Sequence, residues 1–385
     1  MKIMHLMLAC FYIDNYSYQE NYLPKYHKAL GHEVEIVASL VTFNENGDST
    51  LLNEAGTYWN EYGIRVTRLN YSNSFGAQRL RKYEGLYKEL ERFQPDLIFC
   101  HGVQFSDITY VKDYCKKNPQ TVLYIDNHSD FSNSAKNWVS KHIQHEVLWR
   151  HYAQLINPYV KKFYGVLPAR VDFLINEYKL PKEKVELLVM GADDESVALA
   201  EDRDRALELR HQYNIDDEDF LVVTGGKIDQ WKPQTILLME AVKKIKAKKV
   251  KLLVFGSVTE ELKDKVQALV DGSKVQYIGW IQAKDSYKYF AAADLVAFPG
   301  RHSVFWEQVA AQGIPMLVKY WDGTTHVDLG GNVRFLYEDS SNEIRENIEF
   351  LINNPSEYEK MKKIALEKGK VTFSYSDIAR RSIDN

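Results

Sequence analysis

Two stretches in the second half of the chain carry residue types and spacings suited to an anionic, hydroxyl-rich substrate. In Thr224-Gly-Gly-Lys-Ile-Asp-Gln-Trp-Lys-Pro233, Gly225 and Gly226 let the backbone turn tightly past a ligand. Lys227 and Lys232 then offer two ammonium groups, a plausible clamp for a pyrophosphate; the plainer reading is a glycine turn with two solvated lysines. In Phe298-Pro-Gly-Arg-His-Ser-Val-Phe-Trp-Glu-Gln-Val-Ala-Ala-Gln-Gly-Ile-Pro315, Pro299-Gly300 break an apolar run and Ser303 is suited to cap a helix over about 304–312. Gly313 closes that helix and Pro315 forbids its continuation. Its N-terminus, just past a strand, would favour a phosphate. Glu307, about one turn in, could accept bonds from two sugar hydroxyls, or could be a solvated carboxylate on an ordinary strand–turn–helix unit.

In the first half, His128 follows an apolar strand and precedes Asp130, and His101 stands at the end of the preceding strand as a competing candidate. Tyr18, Gln19 and Asn21 follow the first strand and offer an aromatic face and amides to a hydroxyl-rich acceptor, or else cap and pack a helix.

These residues need elements to hold them, and the pattern supplies a βαβ rhythm. Strands are expected at 3–10, 32–38, 64–69, 97–100, 122–125 and 185–190, and helices at 18–30, 78–93 and near 172–178. The charged run 198–219 reads as helix plus connector. A second series opens at 220–224, with strands at 251–255, 275–279, 295–298 and 316–320, and the last residues read as amphipathic helix. Two parallel sheets imply two Rossmann-like halves with a cleft between them.

At 385 residues the chain is long for one core, so two domains are expected. A net charge of −4 gives no reason to expect a nucleic-acid partner. The 25 Tyr and 7 Trp suit a carbohydrate site, since sugars stack on aromatic faces, although most will pack in cores. Cys10, Cys100 and Cys115 lack metal-ligand spacing and are odd in number, which points to a reducing, cytoplasmic setting. The apolar start is too short to span a bilayer and lacks a cleavage-site pattern, so any membrane contact would be peripheral; the basic stretch Gln78–Tyr83 could supply it if the acceptor is lipid-linked, the plainer reading being a solvated face. Asp202-Arg-Asp204 and Asp217-Glu-Asp219 match the letters of a metal-binding Asp-x-Asp but lie in the charged connector, so no metal site is expected. No Gly-x-Gly-x-x-Gly follows a strand, which disfavours a dinucleotide-dependent dehydrogenase.

The stretch ending at Pro315 resembles the donor-site motif of the family 4 retaining glycosyltransferases of GT-B fold. That motif has two Glu seven residues apart, before a Gly-x-Pro. Gly313 and Pro315 align, the second Glu falls on Gln308 or Glu307, and the first has no counterpart. The form His-Ser-Val-x-Trp-Glu-Gln is similar to a divergent branch among bacterial surface-polysaccharide transferases. The resemblance implies that Lys227 and Lys232 stand where the family has an Arg and a Lys on the donor diphosphate. It places donor contacts at Gly225, Gly226, Gly256, Trp280, Ile281, His302, Ser303 and Val304, with the Trp280–Ile281 backbone reading the base. His128 would contact the transferred sugar, and Tyr18, Gln19, Asn21 and Asp130 the acceptor. A final helix would return to the N-terminal domain. The expected domains are 1–197 for the acceptor, 198–365 for the nucleotide sugar and 366–385 as that helix.

The expectation is therefore an α/β GT-B enzyme, a retaining hexosyltransferase. It needs no metal or cofactor and takes a nucleotide-diphosphate sugar, UDP-linked by preference, as co-substrate. Its acceptor would be a glycan or lipid-linked glycan. The rivals are a nucleotide-sugar epimerase or hydrolase of the same architecture and a non-catalytic nucleotide-sugar or glycan-binding protein.

Overall fold

The computed structural model describes residues 1–43, 49–246 and 249–384. The polar loop expected after residue 38 includes 44–48, which lie outside the described residues. The chain divides into two units, Met1–Met190 together with the residues from Ile378 onward, and Gly191–Asp377. The helix Asp194–Ala200, which straddles the sequence-derived boundary at 198, lies within the second unit.

The first unit is built on β1 (Lys2–Met7), β2 (Glu33–Ala38), β3 (Val41–Phe43), β4 (Ser49–Leu51), β5 (Gly56–Trp59), β6 (Arg65–Arg68), β7 (Leu97–His101), β8 (Val122–Asn127), β9 (Lys162–Gly165) and β10 (Val185–Leu187). Eight of them form one sheet in the order β10-β9-β8-β7-β1-β2-β6-β5, and β3 pairs with β4 alone. Only β5 runs antiparallel within the large sheet. Ile3, Met4, Leu6, Ile98, Phe99, Leu123 and Ile125 are fully buried, as expected for strands covered on both faces. The sequence order reverses between β1 and β7, so their carboxyl ends flank a switch point.

The single helix expected over 78–93 is two helices, Ala77–Leu80 and Leu86–Phe93. Arg81 breaks it with a left-handed backbone, φ 53°, and its Nη1 donates to the carbonyls of Ala9 (2.6 Å) and Gln104 (2.8 Å). The basic stretch is thus partly committed to holding strand-end loops, which corrects its reading as a free basic helix.

The second unit carries β11 (Phe220–Gly225), β12 (Val250–Phe255), β13 (Val275–Tyr277), β14 (Leu295–Phe298), β15 (Met316–Lys319) and β16 (Val333–Leu336), all parallel. Their order is β13-β12-β11-β14-β15-β16, the doubly wound arrangement with its switch point between β11 and β14. The strand β16 was not foreseen, because Val333–Leu336 carries an arginine and follows a glycine pair.

Candidate functional site

The loops after β11, β12 and β14 contain the residues singled out for anion binding. Gly225 leaves no room for a side chain, since a Cβ there would lie 2.1 Å from the Phe255 ring. A Cβ on Gly256 would lie 1.9 Å from the Gly226 carbonyl oxygen, and both glycines have φ near 125° (124° and 125°). Tyr277 donates its hydroxyl to the Gly256 carbonyl (2.7 Å), which draws the end of β13 into the same packing. Close approach of three strand ends is what these glycines permit.

Asp229 shapes the β11 loop by accepting at Oδ1 from the Trp231 (2.9 Å) and Lys232 (3.0 Å) amides. Lys227 projects outward, its side chain 62% exposed and its Nζ 4.0 Å from Asp229 Oδ2. Lys232 is half-buried against Gly300, in the loop after β14. Burial lowers its pKa, Asp229 opposes this, and the neighbouring Arg301 guanidinium adds to the lowering. Arg301 in turn lies over the Trp231 ring at 5.6 Å. Two cations, one from each of the loops that flank the switch point, therefore lie near one another, with the Asp229 carboxylate also close to Lys232. Arg301 did not stand out in the sequence.

The helix after β14 is short, Phe305–Ala311, and begins at Val304 with no side-chain cap. Ser303 contributes a backbone carbonyl to the Trp306 amide (3.0 Å), which corrects its expected capping role. Glu307 has no exposed surface. Its Oε1 accepts from His302 Nε2 (2.8 Å) and His326 Nε2 (2.7 Å), while Oε2 is buried without a partner. Burial would raise the Glu307 pKa, but His302 and His326 outweigh it and hold the group well below the usual carboxylate range. Glu307 thus fixes two imidazoles and has no surface for sugar hydroxyls, a correction to the sequence reading. Gln308, the alternative position, is also buried and donates to Ser286 Oγ (2.8 Å). At the end of β13, Trp280 is 70% exposed and Ile281 half-buried after the left-handed Gly279, φ 78°.

In the first unit His128 follows β8 and is half-buried. Its Nε2 stands 3.3 Å from Asp126 Oδ2 and 3.9 Å from Glu20 Oε1. Burial pulls the His128 pKa down, and the Asp126 and Glu20 carboxylates more than offset this, leaving it raised. His101 is fully buried, with Nδ1 2.8 Å from the same Asp126 Oδ2. The two histidines weighed as competitors thus share one carboxylate.

Three of the expected acceptor residues are committed to the fold. Gln19 is buried and donates to Asp126 Oδ2 (3.3 Å), and Asn21 is buried and donates to the Ile13 carbonyl (2.9 Å). Asp130 accepts at Oδ1 from the Ser132 amide (2.7 Å) and hydroxyl (2.5 Å) and pairs at Oδ2 with Arg170 (3.2 Å). Tyr18 alone is half-buried with its ring beside Tyr16, centroids 5.3 Å apart. Of the Asp-x-Asp carboxylates, Asp202 caps the helix Arg203–Gln212 and Asp219 Oδ2 accepts from the Asp216 amide (2.9 Å).

Each unit has Rossmann-like topology, and the chain has the GT-B fold of two such domains. Residues 205–368 match the family described as Glycosyl transferases group 1. No curated protein matches the chain in sequence. Solved structures match its whole length. A glycosyltransferase from Rickettsia africae ESF-5 aligns with TM-score 0.69 and 13% identity over 100% of this chain and 97% of that one. Anabaena Alr3699/HepE in complex with UDP aligns with TM-score 0.68 and 16% identity over 99% and 98%. The UDP-GlcNAc 2-epimerase from Neisseria meningitidis bound to UDP-GlcNAc aligns with TM-score 0.62 and 14% identity over 100% and 99%.

Proposed function

We propose that this protein is a glycosyltransferase that moves a sugar from a nucleotide diphosphate, UDP by preference, to a hydroxyl of a glycan or lipid-linked glycan. The observation that carries this reading is the placing of Lys232 beside Gly300 and of Arg301 over Trp231, which brings two cations to the β11/β14 switch point within the matched group 1 region. Like charges held together and partly desolvated favour a bound polyanion. In this reading Lys232, Arg301 and Lys227 take up the charge that develops on the diphosphate as the anomeric C–O bond breaks. His302, fixed by Glu307, contacts the donor, the Trp280–Ile281 backbone reads the base, and His128 holds the transferred sugar. The acceptor hydroxyl forms the new C–O bond and gives its proton to the departing phosphate oxygen. That route retains configuration and needs neither metal nor cofactor.

The test is transfer and donor hydrolysis by K232A and R301A, with a thermal-shift screen against UDP-, GDP-, ADP- and CMP-sugars. A charge-assisted hydrogen bond strengthened in the transition state is worth roughly 1.5–3 kcal/mol, so each variant loses about ten- to a hundredfold in rate. Donor at 100 times its Kd adds about 2.7 kcal/mol of stability. Full activity in both variants would end the assignment.

The Neisseria neighbour, an epimerase by name, favours a second reading in which the same site isomerises its nucleotide sugar. Product analysis without an acceptor separates the two; an isomerised donor with no transfer selects the epimerase. Donor binding with no turnover across acceptors selects a binding protein. No helix among the described residues is long and apolar enough to cross a membrane. Peripheral contact is supported by the helical segment Ser140–Trp149 and the residues just before it, where Ile143 and Val147 of the helix and Trp138 and Val139 ahead of it are exposed, Trp138 to 68%, with Lys136 and Lys141 nearby. Sedimentation with anionic vesicles, lost in I143E, tests it.

A further inference from the structure

Behind His128 lies a row of buried imidazoles whose hydrogen-bond directions follow from a single acceptor. His27 Nε2 faces the Ala379 carbonyl (3.1 Å) and Ser382 Oγ (2.9 Å), and the Ser382 hydroxyl itself donates to that carbonyl (2.8 Å). A carbonyl only accepts, so His27 Nε2 carries the hydrogen. Burial keeps His27 neutral, its pKa down at about 3, so its Nδ1 is a lone pair. His5 Nε2, 3.0 Å from that Nδ1, must donate. Burial and its two imidazole neighbours keep His5 neutral as well, leaving its Nδ1 to accept from His101 Nε2 at 3.0 Å. His101 has then spent one N–H, and its Nδ1 stands 2.8 Å from a carboxylate oxygen that is itself only an acceptor, close enough to pair in charge though not aligned as a hydrogen bond.

We infer that the hydrogen bonds of this row all point one way, and that His101 is a positioning residue that carries a second N–H, at Nδ1, beside the Asp126 carboxylate. Two lone pairs at that distance inside a core repel, and one proton between them removes the conflict. Asp126 Oδ2 also meets Gln19 Nε2 and His128 Nε2, each at 3.3 Å. The charges of Glu20 and Arg170 also act on His128, and the Phe99 ring covers His5 and His101, with centroids 5.5 and 5.1 Å away. The row runs from the end of the chain, through β1 and β7, to the loop that carries His128. It rests on the proposed transfer reading only in giving His128 a role in catalysis.

The experiment is a long-range 1H–15N spectrum of imidazole-labelled protein between pH 6.5 and 8. Resonances are assigned by H5Q, H27Q and H101Q. His5 and His27 are expected as neutral rings protonated at Nε2, and His101 as protonated on both nitrogens. A neutral His101, a His5 or His27 protonated at Nδ1, or a copurifying divalent metal bridging His101, Asp126 and His128 overturns the inference. The spectrum of the unaltered protein decides this whatever the enzyme transfers. If transfer is established, H5Q lowers kcat about ten- to a hundredfold with donor KM unchanged. A KM effect alone would assign the row to donor binding and refute the positioning role.

Discussion

Each unit buries one carboxylate between two imidazoles, and the two clusters differ in how they are held. Glu307 accepts both of its imidazole bonds at one oxygen, from a loop and a 3-10 turn at neighbouring strand ends of its own sheet. Asp126 is the last member of a row that reaches back to the final helix. The first arrangement is local and closed. The second ties a half-buried histidine to distant backbone, so its integrity depends on the tautomer of every ring in it. The loops differ too: the second unit needs Gly225, Gly226 and Gly256 for its close approaches, whereas the segment 8–18 after β1 contains no glycine.

Removing Glu307 should show the largest effect. E307A leaves two imidazole donors without an acceptor in a buried site, a destabilisation of about 3–5 kcal/mol in urea unfolding. A loss under 1 kcal/mol would mean that the cluster is wet and open, unlike its counterpart. Next comes G256A, whose Cβ must displace the Gly226 backbone; about 2–3 kcal/mol is expected, along with loss of UDP-sugar stabilisation. Alanine scanning of 8–18, apart from the left-handed Asn15 (φ 62°), should show no backbone effect of this kind.

Acidification separates the units by the pH range in which each loses stability. His5, His27 and His145 are pushed down by burial, His27 to about 3 and His145 to about 4. The unfolded chain binds these protons first, so their contribution is complete above about pH 6.5 and is lost on descending from there. Between pH 6.5 and 5 His27 alone removes up to about 2 kcal/mol. His128, raised, works in the opposite direction and offsets part of this. Glu307 is depressed, so its contribution persists above the ordinary carboxylate range near pH 4. Hydrogen exchange at pH 7 and 5 should therefore quicken in β1 and β7 while β11 and β14 hold; uniform quickening would erase the distinction. The smallest effect is that of S303A, below about 0.5 kcal/mol, because its hydroxyl caps nothing.

Alternation of apolar runs with helical periods was enough to place most of the parallel strands of the two sheets, though not the antiparallel β5 or the edge strand β16, because strands covered on both faces must be continuously hydrophobic. The same logic located the glycine turns and Lys232 at strand ends. Which polar side chains remain open to a ligand was not legible. Gln19, Asn21, Asp130 and Glu307 have the chemistry of sugar contacts, but their partners (Asp126, Ile13, Arg170 and His326) lie 107, 8, 40 and 19 residues away in sequence. Local pattern therefore determined the strands, the turns and the placement of charge along the chain. Tertiary packing decided which of those charges were satisfied internally and which, like Lys232 beside Arg301, were left facing their own kind, since a buried polar group's partner is set by the fold and not by its neighbours in sequence.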